Sequence, residues 1–237
     1  MTTDNTPVDD PEALRHILAT TDALLLDFDG PVCSIFANVP AHHVAGQLRR
    51  VLAEAGHTEL PAEVEKTADP FDVLIHAATL GSDQAHHVES SLRAHEVEAA
   101  TTAEPTPGAH DLIRTWHATG RKLAIVSNNS QAAVNTYLHQ HELNPFVHFV
   151  SARTDPNPAL LKPSPHLIGQ ASAALTTPPP KCTLIGDSLT DLRATRAART
   201  RAIGYANKPG KADLFTAEHP AAITTSMVPL GLAARSR

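Results

Sequence analysis

Short apolar runs, each broken at its carboxyl end by polar residues, constrain this 237-residue chain more than any other feature. Ala23-Leu24-Leu25-Leu26 is closed by Asp27-Phe28-Asp29-Gly30. Leu123-Ala124-Ile125-Val126 runs into Ser127-Asn128-Asn129, and Cys182-Thr183-Leu184-Ile185 runs into Gly186-Asp187. Residues 147–150 have the same character, and Ala202-Ile203 and Ala222-Ile223 are weaker versions. Runs this short and continuous read as strands covered on both faces, because a strand with one wet face would alternate. Helical stretches separate them. One is predicted over about 11–20, opened by Asp10-Pro11-Glu12; others run from Pro107-Gly108 through Trp116 to Gly120, over 134–138, and from Ser164-Pro165 through Ile168. The predicted fold class is α/β, a doubly wound parallel sheet whose ligands bind beyond the carboxyl ends of its strands. The acidic and hydroxyl residues fall at those ends.

One interval breaks the rhythm. From about residue 33 to 105 only helical patterns appear: Val44, Leu48, Val51 and Leu52 ending near Gly56, then 73–80, then 88–97. Glu104-Pro105-Thr106-Pro107-Gly108 stops the last of them. The division predicted is an α/β core built from 1–32 and 106–237 with an inserted α-helical cap over 33–105. Hinges near 32 and 105 would let the cap move as a lid.

Composition removes several functional classes. No apolar run approaches the ~18 residues that span a bilayer, and a net charge of −6 leaves no basic stripe for a nucleic-acid backbone. The expectation is no membrane and no nucleic-acid partner. Cys33 and Cys182 form no C-x-x-C, which points to a reducing, cytoplasmic setting. The leading MTTDNTPVDD lacks a basic or apolar segment, so it reads as a short frayed lead rather than a secretion signal, and the terminal ARSR reads as frayed too. Thr176-Thr177-Pro178-Pro179-Pro180 reads as a stiff loop. His42-His43 and His86-His87 read as solvated helix faces, since adjacent helical residues point about 100° apart. The segment Gly204 to Lys211 lacks the spacing of a phosphate-binding P-loop and reads as a plain loop.

Chemistry concentrates at the strand ends. Asp27 and Asp29 are two apart, so in extended backbone both face one side. Two carboxylates so placed repel unless a divalent cation sits between them or one stays protonated. An acidic turn is the plain alternative; a calcium loop fails, because Pro31, Val32 and Asn38 stand where its acidic or amide residue, glycine and glutamate belong. Gly186-Asp187-Ser188-Leu189-Thr190-Asp191 adds two more carboxylates. Ser188 and Asp191 suit a helix capping box, which leaves Asp187 unexplained by capping. Ser127 to Ser130 either cap a helix or grip a phosphoryl oxygen. Lys162, in Leu161-Lys162-Pro163-Ser164-Pro165, is either solvated or the fixed cation that a carboxylate cluster beside a phosphoryl group requires.

Taken together and in this order, DFDG, VSN, LKP and GDSLTD resemble the four motifs of the haloacid dehalogenase superfamily, and the insert resembles the helical cap of its phosphoglycolate phosphatase and β-phosphoglucomutase branch. The resemblance covers about 23–225. It implies Asp27 as the nucleophile that becomes an aspartyl-phosphate, and Asp29 as general acid and then base. Ser127 and Asn128 would hold the phosphoryl group, and Lys162 would neutralise charge beside Asp27. Mg²⁺ would be held by Asp27, the Asp29 backbone carbonyl and Asp187, with Asp191 in support. The implied activity is hydrolysis of a small phosphorylated metabolite. Dehalogenases and phosphonate hydrolases of the superfamily lack an aspartate at the place of Asp29, and Lys66 is the only lysine in the insert to serve the latter. The alternatives are a sugar-phosphate mutase and a non-catalytic phosphoryl-binding module. Two departures stand out: Pro31 where the superfamily usually has Thr or Val, and Gly186 where the mutase-like branch has an acidic residue.

Overall fold

The computed structural model describes residues 6–235. In chain order the elements are α1 (Pro11–Ala19), β1 (Ala23–Leu26), β2 (Cys33–Ser34), α2 (Ala41–Glu54), α3 (Ala62–Lys66), α4 (Pro70–Leu80) and α5 (Ser82–Ala100). There follow β3 (Glu104–Pro105), α6 (Ala109–Ala118), β4 (Lys122–Ser130), α7 (Gln131–Gln140), β5 (Phe149–Arg153) and α8 (His166–Ala174). The chain then adds β6 (Cys182–Gly186), α9 (Leu189–Ala198), β7 (Arg201–Tyr205), α10 (Lys211–Thr216), β8 (Ala222–Thr224) and α11 (Val228–Arg235).

Six strands make one parallel sheet in the order β5-β4-β1-β6-β7-β8. β1 is flanked on both sides, with Leu26 opposite Ile125 of β4 and Ile185 of β6. Its side chains divide by period two between two covering layers. Leu24 and Leu26 pack with α1, α6, α7 and α11, whereas Ala23 and Leu25 pack with α8 and α9. Both faces are therefore dry, which is why the strand reads as an unbroken apolar run. The chain leaves β1 toward β4 and β5, then returns past it to β6. The direction of winding changes beside β1, and the carboxyl ends there form the crevice in which doubly wound sheets bind ligands.

Four helices, α2 to α5, lie between β2 and β3. Val44, Leu48, Val73, Leu74, Val88 and Leu92 share a cluster of their own, which reaches Leu161 of the sheet side. The two short strands pair antiparallel, Cys33 with Pro105 and Ser34 with Glu104, and Thr106 N–H donates to Val32 O at 3.0 Å. The chain thus enters and leaves the helical insert through one pinned ribbon.

Several local expectations change. The lead is tied down over the part described: Val8 bridges Ile223, and the Asp9 carboxylate accepts from Thr225 N (2.8 Å) and Thr225 Oγ1 (2.7 Å). Residues 1–5 of it lie outside the described residues. Of the ARSR end, Ala234 and Arg235 close α11, whose apolar face had no polar partner face to mark it, while 236–237 lie outside the described residues. The strand expected at 147–150 lies at Phe149–Arg153. The segment from Gly204 is not all loop: Gly204 and Tyr205 finish β7 and Lys211 opens α10. Both histidine pairs are exposed, as expected for solvated faces.

In the first turn of α6, His110 Nε2 lies 2.8 Å from the buried Tyr137 hydroxyl, and its ring packs 5.1 Å from His141. Burial, then the neighbouring His141 and Arg114 charges, push the His110 pKa down to about 4. A histidine with a depressed folded-state pKa binds fewer protons folded than unfolded, so its contribution is complete above the unfolded value near 6.5 and is lost as pH falls toward 4. With solvent screening of a partly exposed ring halving the effect, stability should drop by about 1–2 kcal/mol over that window. Urea unfolding of the wild type and His110→Gln at pH 7, 5.5 and 4.5 checks this; the variant should show a shallower acid limb.

Candidate active site

The cluster is built at the end of β1. Asp27 N–H donates to Ile185 O at 2.9 Å, which holds its side chain between the ends of β4 and β6. Phe28 turns inward onto Tyr137, with ring centroids 5.3 Å apart, so Asp27 and Asp29 both remain on the cleft. Gly30 has φ +103°, and a Cβ there would lie 2.5 Å from Asp187 Cγ. Only glycine lets this turn approach the end of β6. Pro31 costs the turn nothing, because the bonds that close it run from Gly30, Val32 and Cys33 N–H groups, and Thr106 Oγ1 adds one to Gly30 O. Asp29 is oriented instead by Ile35 N–H, which donates to Oδ1 at 3.0 Å.

Lys162 is buried at the centre. Its ammonium donates to Asp27 Oδ1 (2.6 Å), Asp191 Oδ1 (2.5 Å) and Val126 O (3.1 Å). Burial alone would lower its pKa, but the Asp191 and Asp27 carboxylates outweigh burial and hold it above the ordinary lysine value. Burial and then repulsion from Asp191 raise Asp27 well above the usual carboxylate range, against the pull of Lys162. Asp29 rises to about 6; burial is the main cause and the Asp187 charge adds to it, while the Ile35 hydrogen bond and Lys208 and Lys211 oppose it. Asp191 doubles as a cap: its Oδ2 accepts from Ser188 N (3.1 Å) and Oγ (2.6 Å) in the capping box at the start of α9. A Cβ at Gly186 would collide with Asp191 Cβ, so an acidic residue cannot stand there while Asp191 reaches Lys162.

The second strand end differs from expectation. β4 continues to Ser130, which caps α7, and a register shift between Ser127 and Ser130 frees Asn128 and Asn129 from pairing. Ser127 is fully buried, its hydroxyl donates to Asn129 Oδ1 at 3.1 Å, and it is absent from the cleft lining, which Asn128 and Asn129 do reach. The Asn128 amide brackets Lys162, donating to its carbonyl (3.1 Å) and accepting its N–H (2.8 Å).

Carboxylate oxygens of Asp27, Asp187 and Asp191 all lie within 4.8 Å of one another, which suits a divalent cation. Sequence reasoning missed the residues that hold Asp187. Asn207 Nδ2 and Lys211 Nζ donate to its Oδ2 at 3.0 and 2.7 Å, both from the segment set aside as a plain loop. It also missed a buried ion cluster beside the cleft. Arg153, at the end of β5, donates to Glu89 and Glu96 of α5 at 2.5 Å each, and Glu96 accepts from Asn129 Nδ2 (3.2 Å) and Ser130 N–H (2.8 Å). The available signal was Glu89 and Glu96 falling on the same stripe as Val88, Leu92 and Ala99.

No helix among the described residues is long and apolar enough to cross a membrane. Comparison with known proteins agrees with this architecture. A bifunctional riboflavin kinase/FMN phosphatase of Arabidopsis thaliana is 32% identical over 110 residues, 46% of this chain and 29% of that protein. Pyrophosphatase PpaX of Anoxybacillus flavithermus is 33% identical over 97 residues, 41% of this chain and 44% of that protein. The chain thus spans less than half the length of either relative. The crystal structure of CbbY from Rhodobacter sphaeroides superposes with a TM-score of 0.60 at 19% identity, covering 89% of this chain and 96% of that one, a likeness of fold. Residues 21–199 match the haloacid dehalogenase-like hydrolases, and the chain belongs to that family.

Proposed function

We propose that the protein is a Mg²⁺-dependent phosphatase that hydrolyses small phosphomonoesters through an aspartyl-phosphate on Asp27, within an α/β core (1–32 and 106–237) covered by a cap (33–105). The observation that carries this reading is the buried Lys162 ammonium bonded at once to Asp27 and Asp191, beside an Asp29 whose pKa lies near 6. A carboxylate attacks phosphorus only if the charge between them is offset, and Lys162 offers that offset. An Asp27 oxygen forms the bond to phosphorus while the ester oxygen leaves and takes the proton of Asp29. Asp29, now ionised, accepts a proton from water, whose oxygen displaces Asp27 and releases inorganic phosphate. A carboxyl titrating near 6 is suited to both halves. Asn128 holds the Lys162 backbone in place, and Asn129 is a better candidate than Ser127 for contact with the phosphoryl oxygens. The side chains of Asp27 and Asp187 and the Asp29 carbonyl would hold Mg²⁺, which when bound neutralises phosphoryl charge. Buried free thiols at Cys33 and Cys182 agree with a reducing cytoplasm.

The test is phosphate release from an aryl phosphate, FMN, inorganic pyrophosphate and phosphoglycolate, with and without Mg²⁺. Release that depends on Mg²⁺ is expected from at least one. Silence across the panel from protein that binds Mg²⁺ calorimetrically would sink the reading.

A further inference from the structure

The cleft above the carboxylate cluster has a volume of about 630 Å³. Its far wall, from the helical insert, presents Phe36, Phe71 and Ile75 together with Asp69 and Asp72. Both carboxylates are fixed: Asp69 Oδ1 caps α4 by accepting Phe71 N–H at 2.8 Å, and Asp72 Oδ2 accepts Thr67 Oγ1 at 2.6 Å. Neither forms a salt bridge among the described residues. Among the described residues Lys162 is the one basic side chain lining the cleft, and its three donors are already directed to Asp27, Asp191 and Val126.

The wall therefore meets the part of a substrate that is not phosphate with aromatic and aliphatic surface and negative charge. Flat or apolar groups gain by covering Phe36, Phe71 and Ile75. A second anion there would face two carboxylates with no cation to receive it. Resting on the phosphatase reading above, we propose that this wall selects phosphomonoesters whose alcohol has an apolar or aromatic body and carries no second anionic group.

The experiment compares kcat/KM for 4-methylbenzyl, 4-(aminomethyl)benzyl and 4-carboxybenzyl phosphate, three esters alike at the reacting end. The carboxylate ester should be slower than the methyl ester by about tenfold or more, and the amine ester should not be slower. In Asp69→Asn/Asp72→Asn, which keeps both hydrogen-bond acceptors, most of that penalty should vanish. Equal turnover of the methyl and carboxylate esters, or a penalty undiminished in the double variant, would overturn the proposal while leaving the phosphatase reading intact. If no ester is hydrolysed, the phosphatase reading is decided by its own panel above. The matched benzyl phosphonates, titrated calorimetrically into the Mg²⁺-loaded protein, then decide selectivity alone, and equal affinity of the methyl and carboxylate compounds would overturn it.

Discussion

Asp27→Asn is expected to reduce kcat for phosphate release by about 10³-fold or more without unfolding the protein. An amide is neutral and a poor nucleophile, so the bond to phosphorus cannot form at a useful rate. Folding should not suffer, because Asp27 is ionised at a cost: burial and the Asp191 charge both push its pKa up. Asparagine fills the same space, still accepts from Lys162, and leaves Asp191 as the ammonium's ionic partner. Thermal melting followed by circular dichroism should therefore give a Tm no lower than that of the wild type. Wild-type turnover in the variant would remove Asp27 from the chemistry; lost turnover with a collapsed Tm would assign it to the fold instead.

The parts of this molecule legible in the sequence are those fixed by neighbours in the chain. A buried parallel strand advertises itself as a continuous apolar run, and the residue that follows the run is placed at the sheet's carboxyl edge by geometry alone. Asp27 and Asp187 come together because each sits one step beyond such a strand and β1 pairs with β6, while Asp191 joins them from the first turn of α9 and Lys162 from the loop that leads into α8. The residues that escaped are fixed by partners distant in the chain. Asp9 is positioned by Thr225, 216 residues on. Lys211 matters because α10 begins where the end of β6 can reach it, 24 residues from Asp187. Ser127 looked equivalent to its neighbours, yet a register shift turned the cleft over to Asn128 and Asn129. No local pattern specifies that shift.

The cluster of Arg153, Glu89 and Glu96 belongs to the same illegible class, and it carries the largest expected effect on stability. Its three side chains are almost wholly enclosed, with Arg153 and Glu96 showing no exposure. Arg153→Met should cost about 3–5 kcal/mol in urea unfolding at pH 7, because it leaves the buried Glu96 without an ionic partner and Glu89 with only Arg93, 3.3 Å away, rather than removing one favourable contact. If stranded charge is the cause, Arg153→Met/Glu89→Gln/Glu96→Gln should recover part of the loss, since both buried charges are gone, although Glu96 serves Asn129 with one oxygen and Ser130 with the other and an amide keeps only one acceptor. A triple variant no more stable than Arg153→Met would mean that the arginine's own bonds, including that to Asn128 O at 3.1 Å, provide the stabilisation. The cluster also links the helical insert to the cleft: α5 reaches β5 through Arg153, and Glu96 reaches Asn129 at the cleft wall. A variant that loosens it should therefore shift KM as well as stability, whereas damage confined to folding would leave the KM of the surviving folded fraction unchanged.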